Sequence, residues 1–264
     1  MFPCFLVSLS TSHVPNPHRP ALMPYLTLGY PDPETSLACV QAAAEAGADV
    51  IELGVPFSDP LADGPAIQRS TQVALENGVT VAKCLEMTAE LRRRGVAAPL
   101  LLMGYYNPIF AYGLARFAGD AASAGADGFI VPDLPLEEAD ELESECHKHR
   151  LSLIYMLAPT STPDRIKKVT ERASGFLYLV SVTGVTGERS GVAEGLREFV
   201  GRVKEMASVP MAVGFGISTP AQAAEVGQIA DGVIIGSAVV KAASGERPVE
   251  GVREFVKRVK EALR

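Results

Sequence analysis

The stretch Glu52-Leu53-Gly54-Val55-Pro56-Phe57-Ser58-Asp59-Pro60-Leu61-Ala62-Asp63-Gly64-Pro65 places three carboxylates among apolar and small residues. Carboxyl groups so surrounded can donate and remove protons, because their surroundings set which of them is charged at neutral pH. Glu52 interrupts an aliphatic strand-like run, and strand alternation puts it on the face of Val50, opposite Ile51 and Leu53. A buried carboxylate without a partner costs several kcal/mol or more. No strand predicted below carries a basic residue in its interior to pair with it. Glu52 is therefore read as an acid/base group facing the inside of the fold. Asp63 is open to two readings, a second catalytic carboxylate or a simple cap for a helix beginning near Pro65.

A second chemistry is spread over three glycine-containing loops late in the chain. These are Thr183-Gly184-Val185-Thr186-Gly187, Gly214-Phe215-Gly216-Ile217-Ser218 and Gly236-Ser237-Ala238. Glycine lets backbone amides approach an anion closely, and amides at a helix start present partial positive charge to it. One such loop is weak evidence; three converging on one corner predict a phosphate site.

Other chemistries are disfavoured. Cys4, Cys39, Cys84 and Cys146 form no CxxC pair and have no neighbouring His arranged as a metal site. His13, His18, His147 and His149 fall in a polar tail or on a charged helix and are expected at the solvated surface. A net charge of -7 with scattered Lys and Arg predicts no nucleic-acid partner. No apolar run approaches the roughly 18 residues that span a bilayer, and the opening MFPCFLVSLS lacks the basic start of a signal peptide. The expected location is the cytoplasm.

The elements that must position these groups alternate along the chain. Candidate strands are 22–28, 50–53, 99–103, 128–131, 151–157, 176–180, 210–213 and 232–235. Helix-like segments lie between them, such as 35–46, 115–124, 136–147 and 196–207, with a final one at 248–263. The segment 65–94 is long enough for two helices broken near Asn77 and Gly78. Ala46-Gly47-Ala48-Asp49, Ala124-Gly125-Ala126-Asp127 and Ile229-Ala230-Asp231-Gly232 form a weak repeat of tight helix-to-strand turns. Eight even units, without a GxGxxG after the first strand, favour a closed single (β/α)8 TIM barrel with extra helices over an open doubly wound sheet. Its active site belongs at the carboxyl ends of the strands, where the acidic stretch and the glycine loops fall. Residues 1–20, with Pro3, Pro15, Pro17 and Pro20, read as an irregular segment ahead of a barrel domain at 21–264.

From about Ala21 onward the chain resembles the tryptophan synthase alpha chains. The resemblance is carried by PYLTLGYPDPETS, IELGVPFSDPLADGPAIQ, LLMGYYNPIFAYG, VPDLPLEE, LAPTSTPDRI, SVTGVTGERSG, VGFGIS and ADGVIIGSAVV, in that order. It implies a lyase that splits indole-3-glycerol phosphate into indole and glyceraldehyde 3-phosphate during tryptophan biosynthesis. By the resemblance Glu52 is the acid/base, Asp63 the second catalytic carboxylate and Tyr178 a near neighbour of the reacting atoms. Phosphate contacts fall to Gly187, Gly216, Gly236 and Ser237, the indole pocket to Tyr25 and Met103, and the closing loop to Thr186. No cofactor is implied in this chain. The implied partner is a pyridoxal-phosphate-dependent beta subunit in an alpha2beta2 assembly, docking on Pro56–Pro60 and the stretch from Tyr105 to Phe110. A partly apolar setting is expected to raise the Glu52 pKa, while a more solvated Asp63 stays ionised. Family members usually begin with an amphipathic helix, which the prolines of residues 1–20 do not support. The readings set against this one are another sugar-phosphate barrel enzyme, which would lack the stretch from Glu52 to Pro65, and a non-catalytic regulatory subunit, which would not need both Glu52 and Asp63.

Overall fold

The computed structural model describes residues 19–181, 194–214 and 216–264. Nine parallel strand segments surround a packed interior, in the order β5-β4-β3-β2-β1-β9-β8-β7-β6. They are β1 (Ala21–Thr27), β2 (Ile51–Gly54), β3 (Leu100–Met103), β4 (Gly128–Ile130), β5 (Ser152–Ile154), β6 (Met156–Leu157), β7 (Leu177–Val180), β8 (Met211–Gly214) and β9 (Gly232–Ile235). The barrel is eight-stranded in its logic, since β5 and β6 are the expected fifth strand interrupted at Tyr155. β5 pairs with β4 and β6 with β7. The Tyr155 carbonyl accepts from Tyr178 N–H at 3.0 Å, so the ladder continues across the break and the ring closes through one residue.

Strand alternation sorts the buried side chains into two layers. Ala21, Met23, Tyr25, Val50, Leu101, Met103, Ile130, Ile154, Phe176, Tyr178, Ala212 and Ile234 fill the interior. Their neighbours in sequence, such as Leu22, Ile51, Leu53, Leu100, Leu102 and Val213, face outward into a larger layer covered by helices. A side chain on a barrel strand thus belongs to one layer or the other by parity alone.

The expected helices are α1 (Pro33–Glu45), α2 (Pro65–Glu76), α3 (Val81–Arg93), α5 (Leu114–Ala124), α6 (Asp140–His149), α8 (Glu194–Lys204) and α11 (Pro248–Ala262). The α2–α3 break falls at Asn77 and Gly78, as the sequence implies. The first turn of the segment at 136–147 is a separate 3-10 turn, Leu136–Glu138. Four more helices are present: α4 (Tyr106–Tyr112), α7 (Pro163–Arg172), α9 (Pro220–Gly227) and the short α10 (Ser237–Ala242). Thr162 and Thr219 cap α7 and α9 with their side-chain oxygens and are followed by proline, a strong helix start. Buried Cys39, Cys84 and Cys146 are free thiols, and His147 and His149 are exposed; Cys4, His13 and His18 lie outside the described residues.

The weak repeat has a further physical role at the amino ends of the strands. Gly47 and Gly125 take positive φ at the helix ends, as expected. The aspartates that follow serve the neighbouring strand: Asp49 accepts from Leu22 N–H at 2.6 Å, Asp127 from Leu100 N–H at 2.7 Å, and Asp231 from Met211 N–H at 2.9 Å. Each satisfies an N–H in the first two residues of a strand. Arg92 adds a 2.6 Å ion pair to Asp127 and Lys260 one to Asp49. Replacing Asp127→Ala orphans the Leu100 N–H and strips the half-buried Arg92 of its counterion, so it should cost about 2–3 kcal/mol in urea unfolding. Asp127→Asn retains an acceptor and should cost clearly less; equal losses for the two would show that Asp127 does not act as a strand cap.

Candidate active site

The two ladders of β2, to β1 and to β3, fix Glu52 opposite Tyr25 on one side and Leu101 on the other. Its side chain points into the barrel, as parity requires, and is 0% exposed. Neither carboxylate oxygen has a hydrogen-bond partner. Burial alone pushes its pKa up to about 8, so at neutral pH the group is a neutral acid.

Asp63 sits above it on the loop between β2 and α2. It is not the cap of α2: the N-cap is Gly64 and no side chain bonds to that helix start. Asp63 also departs from the solvated carboxylate the sequence suggests. Partial burial pushes its pKa up to about 6, against a hydrogen bond from the Tyr105 phenol that lowers it. It is still mostly ionised at pH 7, the state expected of it.

Tyr105 does not lie on the surface expected to dock the partner. It is buried, its ring stacks obliquely on Phe57 with centroids 5.5 Å apart, and its oxygen accepts from Ala62 N–H at 2.9 Å. The phenol thus ties together the backbone and the carboxylate of the Asp63 loop. No spacing in the sequence pairs residues so far apart. Phe110 does project, at 58% exposure, beside Leu61 at 91% as the most exposed large apolar groups among the described residues.

A cavity of about 160 Å³ opens at the carboxyl ends of the strands and brings most of the expected residues together. Tyr25, Glu52, Asp63, Met103 and Tyr178 line one part of it, and Gly216, Gly236 and Ser237 another. Ile67, Ile217, Ser218 and Ile234 also line it, and the sequence reading did not single them out as site residues. Ile234 could have been found by parity, as an inward residue at a strand end. Gly236 and Ser237 form the start of α10, the extra helix typical of barrel phosphate sites. Thr186 and Gly187 lie outside the described residues.

Two inward tyrosines share one geometry. Tyr25 leans across β2 toward its carboxyl end, where a Cβ at Gly54 would stand 2.1 Å from its hydroxyl oxygen. Tyr178 leans across β8 in the same way, where a Cβ at Gly214 would stand 2.3 Å from its oxygen. In both pairs the glycine is level with the residue two beyond the tyrosine, Thr27 or Val180. The two glycines are notches that let both rings lie flat against the barrel wall below the mouth. Both phenols are held neutral well above neutral pH, chiefly by burial, with the negative fields of Glu52 and Asp63 adding to it.

A closed parallel barrel with an unpartnered interior carboxyl group lining a cavity at its carboxyl-end mouth has the architecture of a β/α-barrel enzyme. The tryptophan synthase alpha chain family model matches residues 12–264, beginning upstream of the expected Ala21. The alpha chain of Chloroflexus aurantiacus is 57% identical over 222 residues, covering 84% of each chain. That of Geobacter sulfurreducens is 50% identical over 248 residues, covering 93% of this chain and 94% of the relative. A structure of Mycobacterium tuberculosis tryptophan synthase superposes with a TM-score of 0.86 at 42% identity, covering 94% of this chain and 93% of that one. The chain belongs to the tryptophan synthase alpha chain family, lyases of tryptophan biosynthesis that cleave indole-3-glycerol phosphate to indole and glyceraldehyde 3-phosphate. In that family pyridoxal phosphate belongs to the beta subunit. Among the described residues no helix is long and apolar enough to cross a membrane, and no cluster of His, Cys, Asp and Glu could hold a metal ion.

The strained charge state of Glu52 has a sign that stability measurements read. Its folded pKa of about 8 lies above the ordinary 4.5, so the folded state binds the extra proton and rising pH works against folding. The cost is absent below about pH 4.5, grows through the window between the two values and levels above about 8. At about 1.4 kcal/mol for each tenfold change in proton affinity it approaches roughly 5 kcal/mol. Glu52→Gln, which cannot ionise, should therefore gain stability relative to the native chain as pH rises from 5 to 9 in parallel urea titrations. A stability difference independent of pH would mean that Glu52 is not held protonated.

Proposed function

We propose that Glu52 and Asp63 carry out the cleavage between them, and that the barrel of residues 21–264 is the one catalytic domain. The observation that carries this reading is a fully buried carboxyl group, unbonded at both oxygens, lining a cavity that also holds a second carboxylate in the opposite charge state.

Breaking the bond from indole C3 to the side chain requires C3 to gain a proton. Protonated Glu52 supplies it, and the ring nitrogen lone pair delocalises to leave a cationic ring. Ionised Asp63 accepts a hydrogen bond from the ring N–H and stabilises that positive charge. The Glu52 carboxylate then removes the proton of the hydroxyl on the adjacent side-chain carbon. The oxygen lone pair becomes the aldehyde carbonyl, the C–C bond electrons return to the ring to neutralise it, and Glu52 regains its proton. Tyr178, beside these groups, packs against the reacting atoms, and Tyr25 and Met103 form the wall of the indole pocket. Backbone amides at Gly216, Gly236 and Ser237 hold the phosphate at the start of α10, so binding energy remote from the reacting bond positions it. Gly187 and Thr186 are assigned to the phosphate contact and the closing loop by resemblance alone.

Indole would pass to a pyridoxal-phosphate-dependent beta subunit, in an alpha2beta2 assembly in the cytoplasm. The docking face runs over Pro56–Pro60 and Phe110, and the projecting Leu61 and Phe110 favour a protein partner there.

Purified chain with indole-3-glycerol phosphate should release equimolar indole and glyceraldehyde 3-phosphate, with and without the beta subunit. Glu52→Gln should lower turnover by at least about 10³-fold and Asp63→Asn by about 10²-fold or more, both folded. Turnover should follow a bell with limbs near pH 6 and pH 8, the acid limb from Asp63 and the basic limb from Glu52. Native turnover in either variant would remove that residue from the mechanism.

A further inference from the structure

The lining described for the active cavity contains no Lys, Arg or His, while it carries Glu52 and Asp63. Its ligand bears a phosphate that is largely dianionic at neutral pH, and the chain as a whole has a net charge of -7. Long-range electrostatics would slow such a ligand unless positive charge is placed locally at its approach.

That charge is found immediately outside. A groove of about 920 Å³ runs between α2, α10 and α11, and it shares Ser218 and Ser237 with the active cavity. Its floor is apolar, built in part from Val240 and Phe255. Its charged lining residues are Arg69 on α2 and Lys241 on α10; no acidic residue lines it. Arg92, Arg94, Arg165, Arg172, Arg253 and Lys260 are each tied to a carboxylate. Arg69 and Lys241 are both exposed and enter no ion pair among the described residues. Their charge is therefore directed at solvent, from a concave apolar surface that strengthens the field in front of it.

We propose that this groove is the capture site for the phosphate dianion of the substrate. Resting on the phosphate assignment above, Arg69 and Lys241 draw the dianion to the groove, and the edge formed by Ser218 and Ser237 passes it to the uncharged amides of the cavity. Capture and tight binding are thereby divided. The cations raise the local ligand concentration without having to be buried, and the amides hold the phosphate without a desolvated cation beside Asp63.

The test uses the full chain and a non-cleavable indolyl-propyl phosphate in stopped flow. The chain contains no Trp, so the ligand's own indole emission reports binding without background. At about 10 mM ionic strength, where charges are felt over about 30 Å, Arg69→Gln with Lys241→Gln should slow association about tenfold. The Glu pair at the same positions should slow it further, and above about 0.5 M salt the difference should fall below about twofold. Lys148→Gln with Lys204→Gln removes the same net charge at helix ends away from the mouth and should change the low-salt rate by less than about twofold. Unchanged low-salt association in the groove variants, or equal slowing in the Lys148 and Lys204 pair, would overturn the groove alone. Failure of the native chain to bind the probe at any salt would overturn the phosphate assignment and the groove with it.

Discussion

The rest of the structure depends on keeping one carboxyl group inside a barrel with nothing bonded to it. Two neutral solutions exist for a buried glutamate: pair it with a cation, or let it hold its proton. This fold takes the second. β2 is clamped between β1 and β3, so Glu52 cannot turn outward without reversing the parity of the whole strand. The apolar interior of Met23, Val50, Leu101 and Ile234 then makes its surroundings too poor in dipoles to favour the anion. An acid of ordinary strength in water becomes one that gives and recovers its proton near neutrality.

The two ends of the barrel use aspartate in opposite ways. At the amino ends, Asp49, Asp127 and Asp231 each accept a backbone N–H, and the first two also pair with cations. They finish the ladders of the strands beside them. At the carboxyl ends, Glu52 has no partner and Asp63 is steadied mainly by one phenol. Rigidity supplied at one end allows unsatisfied groups to persist at the other. The Tyr25 and Tyr178 notches belong to the same division, since Gly54 and Gly214 surrender side chains at the mouth so that two rings can wall the pocket.

Much of this is legible in the residues because parity and count are local properties. Glu52 faces inward by alternation with Ile51 and Leu53, and eight apolar runs give the ring its size. The break at Tyr155 is not legible, because Leu151 to Leu157 is uniformly strand-like and the interruption depends on how the barrel closes between β4 and β7. The burial of Tyr105 is hidden for a related reason: Pro, aromatic and aliphatic residues at a rim look the same whether they project or fold under. Only Phe57 and the Ala62 amide, brought near by the loop, decide the matter. The same omission explains Asp63, whose solvation the sequence overstates because the burial of its loop is a tertiary property. Parity had equal power to find Ile234, which the search for polar chemistry passed over.

The roles proposed for the two carboxyl groups fit the different kinds of element that carry them. In the proposed mechanism Glu52 meets a carbon atom and then an oxygen within one substrate, so small displacements matter and a strand held by two ladders suits that role. In the same proposal Asp63 answers a charge that develops on the far side of the ring, where a hydrogen bond to a nitrogen tolerates a loop, provided the loop has a tether. Tyr105 is that tether, accepting from Ala62 N–H and steadying the carboxylate, and it directly precedes α4, which carries the projecting Phe110. In the proposed assembly, a protein bound over Phe110 would contact the helix that directly follows Tyr105.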